Sequence, residues 1–146
     1  MKVVAQNRRA RYDYQILETL EAGVMLTGPE TKSCRLGHVQ LPGAYVSFLG
    51  GAPVLKSMKV AKYAMTGIDV PHDELRDRPL LLKKSEAKKL RSAVEEKGVT
   101  AIPLEVRSGK FIKILIGLGR GKKKYDKRQK IKERESGRRL REGREI

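Results

Sequence analysis

"VTAIPLEVRSGKFIKILIGLG", residues 99–119, decides the fold. Ile102, Leu104 and Val106 alternate along its first half, and Ile112, Ile114, Ile116 and Leu118 along its second. Period-two apolar spacing belongs to a strand with one buried face, and Ser108-Gly109 supplies a turn between the halves. The stretch therefore reads as two antiparallel strands.

Similar signals lie upstream. "DYQILETLEAGVMLTG" (13–28) reads as a hairpin turning near Glu21-Ala22-Gly23, with Tyr14, Ile16, Val24 and Leu26 inward. "AYVSFLG" (44–50), a turn at Gly50-Gly51 and "PVLKSMKV" (53–60) give another hairpin. "ETKSCRLGHV" (30–39) predicts a short helix over 30–36 stopped by Gly37, with Lys32 and Arg35 on one face. "SEAKKLRSAVEEKG" (85–98) predicts a longer helix capped by Ser85 and ended by Gly98, with Ala87, Leu90 and Val94 buried together. Residues 61–79 read as irregular. Five or six short strands with two or three short helices cannot build a large sandwich. The expected class is mainly β with α, a small, partly open barrel.

The charge is uneven. The 146 residues carry a net +16, and residues 120–146 alone hold 13 Lys and Arg against 5 Asp and Glu. This divides the chain into a barrel over 1–120 and a basic tail over 121–146. The tail has good helix formers but only Tyr125, Ile131, Leu140 and Ile146 as sizeable apolar groups, so it is expected to be disordered when free and to order on a polyanion. Nucleic acid is the partner such a charge pattern favours. A membrane would require an apolar stripe that the tail lacks.

No cofactor, metal or catalytic set is expected. Cys34 is the one cysteine, and His38 and His72 stand far apart. "GLGRGKKK" (117–124) fails as a phosphate loop, because Ile116 and Lys123 occupy positions that need Gly and Ser or Thr. Gly117, Gly119 and Gly121 are read instead as a flexible hinge. Asp73, Glu74 and Asp77 form an acidic cluster that Arg76 and Arg78 are expected to neutralise; an enzyme acting on RNA would have to hold a divalent ion there. No apolar window reaches membrane-span length, so a cytoplasmic protein, monomeric when free, is expected. "NRRARYDY" (7–14) places Arg8, Arg9 and Arg11 beside Tyr12 and Tyr14, cations for phosphates and rings for unpaired bases.

Four blocks in order, "NRRARYDYQI" (7–16), "EAGVMLTGPETKSCRLG" (21–37), "RDRPLLL" (76–82) and "GRGKKKYDKRQKIKERE" (119–135), resemble the signatures of the SsrA-binding protein family, also called small protein B. The resemblance implies an oligonucleotide-binding-type (OB-like) barrel and a non-enzymatic adaptor role, in which the protein grips the tRNA-like domain of transfer-messenger RNA (tmRNA) and delivers it to stalled ribosomes for trans-translation. It implies tmRNA contacts at Asn7, Glu21 and Leu81 and a basic helix holding Lys32 and Arg35. Arg8, Arg11 and Tyr12 join them from the residue reading. It further implies that the tail, with Gly121, Lys122, Lys123, Tyr125, Asp126, Lys127 and Arg128, enters the decoding centre and the empty mRNA channel as a helix. The other reading in the binding class is a ribosomal or general RNA-chaperone protein that holds structured RNA nonspecifically.

Overall fold

The computed structural model describes residues 2–48, 51–67 and 71–122. Seven strands form one antiparallel sheet in the order β1-β8-β9-β2-β7-β5-β4. They are β1 (Lys2–Gln6), β2 (Tyr14–Val24), β4 (Tyr45–Ser47), β5 (Val54–Lys56), β7 (Arg78–Leu81), β8 (Val99–Ser108) and β9 (Ile112–Gly121). β3 (Val39–Gln40) and β6 (Lys59–Val60) pair separately. The sheet curls until β4 lies against β8 without pairing to it, which leaves the expected barrel open. Three helices accompany the strands: α1 (Arg8–Asp13), α2 (Gly28–Arg35) and α3 (Lys84–Val94).

Residues 99–119 form the antiparallel pair that their alternation predicts. Ile112, Ile114, Ile116 and Leu118 all face the main core, with Leu55, Val60 and Leu90. The first half departs from the pattern. A bulge between Pro103 and Glu105 shifts the register, so Ile102 and Leu104 join Ala10 in a smaller core under α1, while Val106 faces the main one. A bulge is also where a proline without an N–H can sit inside a sheet.

The hairpin expected at 13–28 is a single eleven-residue strand, β2. Gly23 is not turning the chain. It is paired with Lys113 on one side and Leu81 on the other, and a Cβ there would lie 3.1 Å from Leu81 Cβ. The glycine admits a close neighbour rather than a positive φ. The same correction applies to the supposed hinge. Gly117 and Gly119 stand inside β9, and a Cβ on them would meet Leu104 Cδ1 at 2.7 Å and Tyr14 Cβ at 2.9 Å. Glycines two apart in a strand strip one face of side chains, and here Leu104 and Tyr14 fill the space.

The N-terminal arm, the strand β7 and the count of strands were not legible. Val3 and Ala5 pair with β8, and β7 inserts between β2 and β5. The hairpin of β4 and β5 forms as expected; the Gly50 half of its turn lies outside the described residues. α2 matches its prediction, with Gly37 at φ +78° beyond its end. α3 forms where expected but differs at both ends: its N-cap is Lys83, whose N–H donates to Glu86, with Ser85 inside the first turn, and it stops at Val94, four residues before Gly98.

The acidic cluster is neutralised differently from the expectation. Glu74 pairs with Lys59 and Asp77 with Lys56, each at 3.5 Å, whereas Arg76 and Arg78 both reach Glu30 on α2. Arg78 is completely buried; its guanidinium also donates to the carbonyls of Met58, Arg76 and Glu74. Burial pushes the Glu30 carboxyl up. Hydrogen bonds from Arg76, from the Thr27 N–H and from Arg78 outweigh it and bring the pKa down to about 2. This cluster fastens α2 to the segment that leads into β7. Cys34 beneath it is fully buried, and burial pushes its thiol up to about 11, so it is an inert packing residue. No group of three potential metal ligands occurs among the described residues, and no helix among them is long and apolar enough to cross a membrane.

Candidate nucleic-acid interface

The sheet has two sides with different chemistry. One covers the main core; the other is half covered by α1 and otherwise open. On that open side, cross-strand pairing sets Leu81, Gly23, Lys113, Arg107 and Val3 in a row across five strands, with Glu21, Leu115, Glu105 and Gln6 in the next. Glu21 and Leu81, which the sequence places sixty residues apart, are thus close neighbours on one face. Leu81 is 55% exposed, an outward position rather than a core one.

Asn7 works from underneath. Its N–H donates to Leu104 O at 2.7 Å and its Nδ2 to Pro103 O at 3.1 Å, so it satisfies the two carbonyls at the bulge. Its Oδ1 accepts from the Ala10 N–H at 3.1 Å and caps α1. The residue is buried and every polar atom is used, which makes it a positioning residue for the helix. α1 then presents Arg8, Arg11 and Tyr12 to solvent, with the Tyr12 ring 45% exposed. Arg11 reaches back to Glu105 at 3.8 Å, which ties the helix to the rows beneath.

Glu21 accepts from Arg107 at 3.1 Å, and Arg107 also donates to Glu105 at 3.1 Å. Those contacts, Glu105 first, raise the Arg107 pKa and keep its cation fixed on the face. A carboxylate inside a basic surface is explained by this: Glu21 aims an arginine.

Beside Leu81 the face deepens into a groove of about 420 Å³ lined by Gly23, Leu26, Arg35, Lys110, Phe111 and Lys113. Phe111 is 63% exposed, and the Lys110 ammonium lies 5.7 Å from its ring centre. Arg107, Lys110, Phe111 and Lys113 were missed in the sequence. The available signal was an aromatic residue one position beyond a Ser-Gly turn, with Lys110 before it.

The two basic residues of α2 do not act as a pair. Arg35 donates to Ser108 Oγ, Gly109 O and Lys110 O and so fastens the β8–β9 turn that carries Phe111. Lys32 turns to the Tyr63 ring, 5.3 Å away. Gly121 ends β9, with its N–H to Gly98 O, and the Lys122 N–H donates to Asp13 O at 3.0 Å at the end of α1. Lys123, Tyr125, Asp126, Lys127 and Arg128, and with them the expectation of a disordered tail, lie outside the described residues.

Cations, exposed rings and hydrogen-bonding side chains on a single β face suit unpaired or looped RNA. Comparison with known proteins agrees in detail. The family model described as SmpB protein matches residues 4–145. The chain belongs to the SmpB family. An SsrA-binding protein of Coprothermobacter proteolyticus is 52% identical over 143 residues, covering 97% of this chain and 95% of the relative. That of Lactobacillus helveticus is 48% identical over 95% of this chain and 91% of its own, and that of Microcystis aeruginosa is 45% identical over 94% and 90%. Among solved structures, a chain described under "tmRNA-SmpB: a journey to the center of the bacterial ribosome" superposes with a TM-score of 0.70 at 43% identity, covering 85% of this chain and 87% of that one.

Proposed function

We propose that this protein is an RNA-binding adaptor of trans-translation that holds the tRNA-like domain of tmRNA on its open β face and brings it to stalled ribosomes. Family membership over nearly the whole chain supports the partners, since relatives are named for SsrA binding and the solved neighbour concerns tmRNA, SmpB and the ribosome. The observation that carries the site is the convergence of Glu21, Leu81, Arg107, Lys113 and Phe111 on the open face of the sheet. Arg8, Arg11 and Lys113 supply phosphate contacts; Tyr12 and Phe111 offer rings for unstacked bases; Leu81 fills the groove floor against a ribose or base edge.

The tail, residues 123–146, serves the ribosome and not tmRNA. The hydrogen bond from the Lys122 N–H to Asp13 O supports counting Gly121 and Lys122 with the body. In this reading the tail occupies the decoding centre and mRNA channel, where ribosomal RNA supplies counter-charge for its Lys123, Lys127 and Arg128.

The test is binding of tmRNA, an ordinary tRNA and an unrelated hairpin over a salt series, with the full chain, a chain ending at Lys122, and Phe111→Ala in the full chain. A preference for tmRNA of tenfold or more, about 1.4 kcal/mol, should survive raised salt and the truncation, and should shrink by about tenfold with Phe111→Ala. Truncation should abolish peptide tagging on stalled ribosomes. Equal binding of all three RNAs that collapses with salt would mean a nonspecific RNA chaperone, and loss of tmRNA binding on truncation would refute the division into face and tail.

A further inference from the structure

We propose that the solvent face of α3 is a second RNA-binding surface, which takes the phosphate backbone of a double-helical RNA. The helix packs on the opposite side of the sheet from α1: Leu90 is buried in the main core, with Ala93 and Val94 beside it. Lys84, Lys88 and Arg91, spaced i, i+4 and i+7, are all exposed and form one ridge. The neighbouring acids are committed elsewhere. Glu86 accepts from the Lys83 N–H, Glu96 pairs with Arg120 at 2.7 Å and Glu18 pairs with Lys89. Glu95 at the C-cap is the acid that remains on the ridge line, at its far end. Among the described residues, Lys84, Lys88 and Arg91 have no carboxylate partner.

Two features of this arrangement work against the isolated helix. Like charges at i, i+4 repel, and Lys83 and Lys84 stand at the positive end of the helix dipole, where carboxylates are favoured. An external polyanion along the ridge removes both penalties. The ridge from Lys84 to Arg91 runs roughly 10 Å along the axis, the span of about three successive phosphates of one strand. α3 carries no aromatic residue, so it can position a backbone but offers nothing to an unstacked base. Its apolar residues Ala87, Leu90 and Val94 turn inward, which disfavours a membrane surface.

The experiment measures, in the full chain, affinity for a blunt RNA duplex of about 16 base pairs over a salt series. It compares wild type, the triple variant Lys84→Gln/Lys88→Gln/Arg91→Gln, and a charge-matched control, Lys56→Gln/Lys59→Gln/Lys89→Gln, whose lysines already pair with carboxylates. Because all three proteins keep the same tail, the differences isolate the ridge. The triple variant should lose about tenfold or more in affinity at about 0.1 M salt, and its slope of log affinity against log salt should fall by roughly 2 to 3, near 0.9 per phosphate. The control should stay within about twofold of wild type by the same counterion argument. A triple variant indistinguishable from wild type, or a control that falls as far, overturns the proposal. So does an equal loss on the single strand of the same sequence, or a loss seen only on phosphatidylserine vesicles. Phe111→Ala should leave duplex binding unchanged, which separates failure of this surface from failure of the open β face.

Discussion

Replacing Glu30 by Gln tests how the open face is held in place. The substitution keeps the shape and one acceptor oxygen but removes the charge between Arg76 and the fully buried Arg78. The Glu30 pKa stands at about 2 against an ordinary 4.5. That difference corresponds to about 3 kcal/mol of stability at neutral pH, and breaking one partner of a buried pair costs about 3–5 kcal/mol in general. An expected loss of about 3 kcal/mol is a large part of a small domain's stability, and it lowers Tm by roughly 10 °C or more. Urea unfolding of wild type and variant across pH supplies the assay. A carboxylate whose pKa is depressed on folding stabilises fully above its unfolded value and ceases to do so as pH falls through the folded one. The gap between wild type and variant should therefore be constant above pH 5, and close between pH 4.5 and about 2. Other carboxylates titrate in both proteins and cancel in the difference. A gap under about 1 kcal/mol at pH 7, or one that does not change with acid, would refute the reasoning.

Gly119→Ala should destabilise by about 1–3 kcal/mol, because the new methyl meets Tyr14 at its Cβ, which cannot swing away; the urea midpoint should fall with the m-value unchanged. Asn7→Ala removes the cap of α1 and the donor to Pro103 and should cost about 1–2 kcal/mol. Its tmRNA affinity should fall further than that of Arg8→Ala if α1 is displaced as a unit, which titration of both variants would decide.

The alternation of residues 99–119 was enough to place two strands, and Gly37 was enough to end α2, because both signals are local; α3 stops at Val94, four residues before the Gly98 expected to end it. What stayed hidden was non-local. Pro103 beside Leu104 is compatible with a bulge, but what holds the bulge is Asn7, nearly a hundred residues away, which takes up its carbonyls. Gly23 and Gly119 looked like a turn and a hinge, since a glycine that makes room for a neighbouring side chain has the same local signature as one that bends. Of the site, Arg8, Arg11 and Tyr12 were legible as charge and ring, whereas Arg107, Lys110 and Lys113 were not. Glu21, Leu81 and Asn7 came through family resemblance, and Phe111 was overlooked because its exposure depends on Arg35 pinning the turn before it.

The path of the chain out of β9 has a mechanical consequence. β9 lies between β2 and β8 and is paired to them along its length, and the tail is joined to its end through Lys122. A pull on the tail is therefore applied as shear to two ladders at once, not as peeling of an edge strand one bond at a time. If the tail is seated in the ribosome while the RNA-holding body swings as tmRNA moves, the tether is rooted in the part of the sheet best able to resist tension.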